Sequence, residues 1–296
     1  MPYVRSFLEL IRFSHTLFAL PFALLAACMA YAQLKPGSPI LWPFLGVLLC
    51  MVFARSTAMA FNRLVDWKID ALNPRTAKRH LPSGRLSSRA VWVFTIVSAL
   101  GFVASCTLFL PTNPIPILCS VPVLLFLCGY SYAKRWTMAS HFWLGAALML
   151  APLAAWVAIL PEFSWAPVVL GLAVLFWVAG FDIIYACQDH DFDLKMRLKS
   201  VPAKFGIARS LQIAAGCHVL TLFFLFLLPN VYEKFGPIYY GGVTLIALLL
   251  IAEHLVIRPK RKEENIDLNR VNLAFFHLNA IVSIGLFLIG VVDLLL

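Results

Sequence analysis

Residues 41–70 read LWPFLGVLLCMVFARSTAMAFNRLVDWKID, and this stretch decides the fold. Its first part, as far as Asn62, contains a single charged residue, Arg55. A helix of about 20 mainly apolar residues is what the hydrocarbon core of a bilayer requires, because lipid offers the backbone no hydrogen-bond partner. The stretch then continues into a polar segment that carries Asp66 and Asp70. It therefore predicts a membrane-spanning helix whose end bears acidic side chains.

The rest of the chain is equally apolar. Of its 296 residues, 61% are hydrophobic and 13% are charged, whereas about 25% are charged in an ordinary soluble domain. Apolar runs occur at about 13–33, 40–61, 90–110, 114–133, 139–160, 165–187, 210–229, 236–257 and 271–292. Together they predict an all-α, polytopic membrane protein, with one domain over residues 1–296 and a bundle of about nine transmembrane helices.

The basic residues are unevenly distributed between the two sides of this predicted bundle. The N-terminal stretch and the connections on one side hold 21 of the 24 Lys and Arg residues. The positive-inside rule places that side in the cytoplasm, with the N-terminus inside and the C-terminus outside. Topology and anionic membrane lipid account for the net charge of +10, so no nucleic-acid partner is implied. No obligate protein partner is evident either.

Carboxylates are rare in the chain, with 14 in all, yet five of them fall in two of the basic connections. In the first, the spacing of four places Asn62, Asp66 and Asp70 on one helical face. Like charges at that spacing repel each other, whereas a shared divalent cation would make the same spacing favourable. The alternative is that these are solvated loop carboxylates paired with neighbouring Lys and Arg residues.

The second connection repeats the four-residue spacing in Asp189 and Asp193, with Asp191 between them and Asp182 one to two turns earlier. Oxygen ligands without Cys or His partners suit magnesium, which keeps waters and completes its coordination with phosphate. His190 lies among these acids and is interpreted as a surface histidine rather than a ligand. The two clusters therefore predict Mg²⁺ as the cofactor.

Basic residues accompany both acidic clusters. Arg75 and Arg79 follow the first cluster, Lys199 follows the second, and Lys134 and Arg135 stand at the end of the fourth predicted span. Lys and Arg form charge-assisted hydrogen bonds with phosphate oxygens and stabilise a departing anion. These five residues are therefore candidates for binding a diphosphate.

Arg55 is the informative residue inside the second span. It precedes Asn62 by 7 residues and Asp66 by 11, offsets near whole helical turns, so it shares their face and lies about 10 Å deeper. A charged residue at membrane depth is unfavourable and usually faces a cavity or a partner. We interpret Arg55 as an anchor for an anionic substrate, with a structural ion pair as the alternative.

Two tyrosines lie near the same end of the predicted bundle. Tyr185 is spaced to share a helical face with Asp182 and Asp189, which makes it a candidate catalytic residue. Tyr130 is a candidate substrate contact. The alternative for both is an interfacial aromatic belt.

The two acidic stretches, taken whole, resemble the aspartate-rich motifs of the UbiA superfamily of intramembrane prenyltransferases. They are AFNRLVDWKIDALNPRTAKRHLPSGR at 60–85 and DIIYACQDHDFDLKMRLKSVPAKFG at 182–206. The resemblance implies a nine-helix bundle around a lipid-accessible cavity that the two loops cap. The best-known members carry an acid directly after the motif asparagine. This chain has Arg63 there, as in a branch that resembles bacterial 4-hydroxybenzoate polyprenyltransferases of the inner membrane.

The resemblance also implies roles for individual residues. One magnesium would be held by Asn62, Asp66 and Asp70, and a second by Asp189 and Asp193. Arg79, Lys134 and Lys199 would bind the diphosphate.

The expected reaction is transfer of a polyprenyl group from its allylic diphosphate to an aromatic acid. We expect 4-hydroxybenzoate as the acceptor, in ubiquinone synthesis, with Asp182 and Asp191 as alternative candidates to take the ring proton. The alternative acceptor is 1,4-dihydroxy-6-naphthoate, in menaquinone synthesis by the futalosine route. A membrane transporter is the alternative of another class, although transporters usually place their charges near the membrane midplane rather than at helix ends.

Overall fold

The computed structural model describes residues 2–11, 18–110, 112–257 and 277–296, and within these ranges it contains helices and turns but no strand. The predicted all-α fold class is confirmed. The α-helices of the described chain are α1 (Pro2–Leu10), α2 (Leu20–Tyr31), α3 (Leu41–Leu72), α4 (Ser88–Cys106), α5 (Ile115–Trp136), α6 (Ser140–Ile159), α7 (Trp165–Ala186), α8 (His190–Met196), α9 (Val201–Val231), α10 (Pro237–Ile257) and α11 (Asn279–Leu295).

Seven helices of the described chain are long and apolar enough to cross a membrane, namely α3, α4, α5, α6, α7, α9 and α10. Two further apolar helices, α2 and α11, are shorter. They fall in the first and last predicted spans, 13–33 and 271–292, each of which also includes residues outside the described ranges. The polytopic membrane architecture is thus confirmed.

The helix α3 carries the first acidic cluster and is longer than the predicted span at 40–61. Its 32 residues correspond to about 48 Å at 1.5 Å per residue, against about 30 Å for a hydrocarbon core. The helix ends because Asn73 adopts an extended backbone (φ −89°, ψ 118°), the conformation favoured before a proline such as Pro74. The acidic motif therefore lies on the helical extension beyond the apolar part.

The chain contains two compact units, and the first comprises Met1–Thr16 and Gly37–Tyr132. In this unit α3 packs against α4 through small residues. A Cβ atom at Gly101 would lie 2.8 Å from the Phe53 ring, so the glycine leaves room for that ring between the two helices.

The second unit comprises Leu17–Pro36 and Ala133–Leu296. Its central helix is α7, which packs against both α6 and α9. Trp177 of this helix is buried, with 1% of its surface exposed. A Cβ atom at Gly145 of α6 would collide with a backbone carbonyl of α7, so this helix pair also depends on a small residue. That residues 1–296 form a single domain stays a prediction.

The connection from α8 to α9 is short and locally capped. Arg197 ends α8 in the left-handed conformation (φ 53°), and the Ser200 hydroxyl accepts a 3.2 Å hydrogen bond from the Ala203 amide at the start of α9. Helix α9 therefore begins before the predicted span at 210–229, and Gly206 (φ 76°) interrupts it. The capping serine and the early proline, Pro202, are the usual signals for such a start.

Candidate active site

The first acidic cluster lies on α3, which continues unbroken through Asn62, Asp66 and Asp70. Asp66 and Asp70 are buried, with 4% and 5% of their accessible surface exposed, respectively. The Asn62 amide donates to Asp66 Oδ2 over 3.3 Å. These aspartates are therefore buried residues of a helix rather than solvated loop residues, while Asp70 does pair with basic neighbours as that alternative expected.

Asp70 is held by basic residues of its own unit. Arg79 Nη1 donates to both carboxylate oxygens, at 2.8 and 2.7 Å, and Arg63 Nη1 lies 3.7 Å from Oδ2. The Thr76 hydroxyl donates to the Asp70 backbone carbonyl over 2.9 Å. The loop after α3 thus folds back over the helix end. It brings Arg79, a predicted diphosphate ligand, to a predicted metal ligand.

Arg63 is a residue that sequence reasoning recorded only as a departure from the family motif. In the structure, the Arg63 guanidinium forms an ion pair with Asp70, and both residues are buried. An arginine and an aspartate seven residues apart on a helix are two turns apart, so the spacing was the available signal.

Other predicted residues of this unit are placed differently. Arg75 is exposed on the loop, where its amide donates to the Asn73 side chain over 2.9 Å. Arg55 is half-buried on α3, and its Nε has no hydrogen-bond partner among the described residues. Tyr130 is half-buried on α5.

The second acidic cluster lies where the helix geometry changes. After α7 ends at Ala186, a 3₁₀ turn spans Cys187–Asp189 and α8 follows. Asp189 therefore stands at the start of α8 rather than on α7. The predicted common face of Asp182, Tyr185 and Asp189 does not extend along one α-helix, because the 3₁₀ turn has a different period.

Asp193 of α8 lies among polar and basic neighbours of the second unit. The Ser200 side chain hydrogen-bonds to it, and Lys134, Asp189 and His141 lie within electrostatic reach of it. The Lys199 amide donates to the Lys134 carbonyl over 2.8 Å, and Lys199 Nζ donates to the Trp136 carbonyl over 2.9 Å. Lys134 and Lys199 are thus brought together next to a predicted metal ligand.

A cavity of about 510 Å³ opens beside this cluster. Asp193, Ser200 and three basic residues, Arg197, Lys199 and Lys204, contribute to its lining. Arg135 is not among the lining residues of this cavity. The cavity joins one carboxylate to several cations, which is the composition expected of a site for an anion with a bound metal.

Asp182 on α7 is engaged with a residue that sequence reasoning missed. His141 Nδ1 lies 2.7 Å from Asp182 Oδ2, and 20% of the aspartate side chain is exposed. Tyr185 is half-buried and packs on the apolar cluster around Ile183 and Ile184. The only signal for His141 was a histidine at the start of an apolar span.

The donor chemistry of both clusters fits magnesium. Nowhere in the described ranges do three or more His, Cys, Asp or Glu side chains converge on one point. Each predicted site would therefore rest on two carboxylates, with the Asn62 amide added at the first. Sparse oxygen donors of this kind suit Mg²⁺, which retains waters and takes up substrate phosphate, better than they suit zinc.

The chain is similar to prenyltransferases in comparisons with known proteins. Residues 19–280 match the model of the UbiA prenyltransferase family. A 4-hydroxybenzoate octaprenyltransferase of Vibrio campbellii is 31% identical over 239 residues, which cover 80% of this chain and 81% of the relative. A 4-hydroxybenzoate octaprenyltransferase of Aeromonas hydrophila is 32% identical over 230 residues, covering 77% of each.

Solved structures show the same fold. The apo structure of a UbiA homolog from Aeropyrum pernix K1 is 31% identical and superposes with a TM-score of 0.81, covering 94% of this chain and 98% of the homolog. A UbiA homolog from Archaeoglobus fulgidus, bound to DMAPP and Mg²⁺, is 21% identical with a TM-score of 0.72 and covers 98% and 99%.

Proposed function

This chain belongs to the UbiA prenyltransferase family, and we propose on that premise that it transfers a polyprenyl group from an allylic diphosphate to 4-hydroxybenzoate. One observation supports the choice of 4-hydroxybenzoate as the acceptor. Two relatives named for 4-hydroxybenzoate are similar over more than three quarters of both chains. Neither name supports the naphthoate acceptor or a role in menaquinone synthesis. Family membership also decides against the membrane transporter.

The two acidic clusters are proposed to hold magnesium, with Asn62, Asp66 and Asp70 at one site and Asp189 and Asp193 at the other. The Archaeoglobus fulgidus homolog with DMAPP and Mg²⁺ bound supports a metal-assisted diphosphate site. When bound, magnesium would supply positive charge that neutralises the diphosphate and makes it a better leaving group.

The chain's own cations are proposed to bind the same leaving group. Lys199 lines the cavity beside Asp193, Lys134 lies close to it, and Arg79 stands at Asp70. Positioned Lys and Arg side chains form charge-assisted hydrogen bonds that strengthen as negative charge builds on the departing oxygen. They therefore stabilise the transition state more than the bound substrate.

The proposed chemistry is an electrophilic aromatic substitution. The C–O bond to the diphosphate breaks and its electron pair leaves with the diphosphate, so that an allylic cation remains. The ring carbon ortho to the hydroxyl attacks this cation to form a C–C bond. Asp182 then takes the ring proton, with Oδ2 held by His141. The apolar helices limit access of water, which would otherwise capture the cation.

The chain is an integral membrane protein. We propose that it resides in the bacterial inner membrane with both acidic loops on the cytoplasmic side. The support is the distribution of basic residues, since 21 of 24 fall in the N-terminal stretch and in the connections that are predicted to share a side with these loops.

The acceptor is tested by prenyl transfer in membranes that contain this chain, supplied with geranyl diphosphate and magnesium. We expect product with 4-hydroxybenzoate and none with 1,4-dihydroxy-6-naphthoate, run in parallel. Membranes without the chain give the background. Product from the naphthoate alone would overturn the acceptor and retain the reaction class.

Arg55 is proposed to bind the acceptor carboxylate. We expect Arg55→Ala to raise the KM for 4-hydroxybenzoate by about 10-fold or more, since a lost hydrogen bond to a charged group is worth about 1.5–3 kcal/mol. The change in kcat should be smaller. Steady-state kinetics with each substrate varied in turn would measure both constants.

A carboxylate-free phenol serves as the diagnostic acceptor, because Arg55→Ala should leave its KM unchanged. Arg89→Ala, an exposed arginine at the start of α4, is the matched control. An unchanged KM for 4-hydroxybenzoate in Arg55→Ala would show that the carboxylate is bound elsewhere.

A further inference from the structure

The His141 imidazole joins three helices of the second unit. It belongs to the first turn of α6, and 5% of its side chain is exposed. Its Nδ1 lies 2.7 Å from Asp182 Oδ2 of α7. Its Nε2 lies 3.3 Å from the backbone amide of Val201, the first residue of α9. The His141 ring therefore contacts both Asp182, the proposed proton acceptor, and the start of α9, which lies next to the cavity.

The hydrogen bonds define which nitrogen carries the proton. The Val201 amide can only donate, so Nε2 accepts and the proton of the neutral ring is on Nδ1, where it donates to Asp182. Both ring nitrogens are thus occupied by protein groups. A histidine in this state is unable to exchange a proton with a substrate, and its role is to hold its two partners.

The segment before Val201 contains groups of the proposed diphosphate site. Ser200 hydrogen-bonds to Asp193, and Lys199 is tied to the α5 end through the Lys134 and Trp136 carbonyls. The next hydrogen bond between this segment and another helix is the one that the Val201 amide donates to His141 Nε2. Loss of that bond would free this segment, together with the α9 start that Ser200 caps, from α6, while the contacts to α5 remain.

We propose that His141 is a positioning residue that orients Asp182 and, through the Val201 amide, the Lys199–Ser200 segment beside Asp193. The inference rests on the proposed function for its kinetic consequences. Its binding consequence concerns prenyl diphosphate alone and is independent of the acceptor.

The test compares His141→Leu with His141→Gln. Leucine keeps the volume and removes both hydrogen bonds, whereas glutamine offers one donor and one acceptor in a plane. We expect His141→Leu to weaken binding of geranyl diphosphate and to lower kcat, each by about 10-fold, because a lost buried hydrogen bond has about that effect. The KM for the acceptor should stay within about twofold, and His141→Gln should recover most of both losses.

Two further variants separate positioning from general destabilisation. His218→Leu removes another buried histidine of the same unit, one that contacts His254, and should leave geranyl diphosphate binding unchanged. Ser200→Ala acts on the segment itself and should weaken that binding. The double variant with His141→Leu and Ser200→Ala should weaken geranyl diphosphate binding by less than the product of the two single effects, because both substitutions loosen the same segment.

The readouts are the dissociation constant of geranyl diphosphate, both KM values, kcat and the thermal unfolding midpoint in detergent. Unchanged binding and kcat in folded His141→Leu would overturn the proposal, as would an equal loss in His218→Leu. If His141→Leu fails to fold, normal binding in Ser200→Ala or a full loss in folded His141→Gln overturns it. Wild-type protein that binds geranyl diphosphate but transfers it to neither acceptor would refute the proposed function, and the binding comparison would still decide the role of His141.

Discussion

Replacing Asp66 or Asp189 with asparagine is expected to lower kcat for prenyl transfer by about 10³-fold while the protein remains folded. Asparagine keeps the size of the side chain and removes the negative charge that a cation needs. Asp66 is buried beside Asn62, and an asparagine there still has an oxygen to accept that hydrogen bond. The loss should therefore appear in catalysis rather than in stability. Transfer assays at matched protein levels would measure it.

Asp191→Asn is the matched control. Asp191 lies between Asp189 and Asp193 in sequence, and its side chain is exposed. Residues two apart on a helix point in different directions, so kcat in this variant should stay within about twofold of the wild type. Near-normal turnover in either Asp66→Asn or Asp189→Asn would remove that residue from the proposed magnesium sites.

Removal of divalent cations is the second change with a large expected effect. An excess of EDTA should reduce turnover to about 1% or less, because the diphosphate would then leave without its principal charge compensation. Magnesium and manganese should restore the activity, since both accept hard oxygen ligands in octahedral coordination. The transfer assay with graded additions of each metal would measure the recovery.

The thermal unfolding midpoint in detergent distinguishes a catalytic from a structural metal. We expect EDTA to leave it unchanged, because Arg79 already pairs with Asp70 and Asn62 with Asp66. A large decrease would instead indicate that the metals stabilise the fold. Full turnover in excess chelator would exclude a metal requirement.

The acidic motif on α3 could be predicted from the spacing of its residues in the sequence. The separation of four residues predicted a shared helical face for Asn62, Asp66 and Asp70, and α3 continues through all three. That inference needs only the helical repeat, because neighbours at i and i+4 meet wherever the helix is formed. The same reasoning was less successful at Asp189, since a 3₁₀ turn follows α7 and the repeat changes there.

The amino-acid sequence by itself determined that the chain is an all-helical membrane protein with two acidic motifs, because apolar length and helical spacing are local properties. The tertiary structure alone decided that Arg79 folds back onto Asp70 and that His141 lies between Asp182 and Val201. His141 and Asp182 are 41 residues apart and Val201 is 60 residues from His141. No periodicity relates positions so distant, and their meeting depends on how α6, α7 and α9 pack against one another.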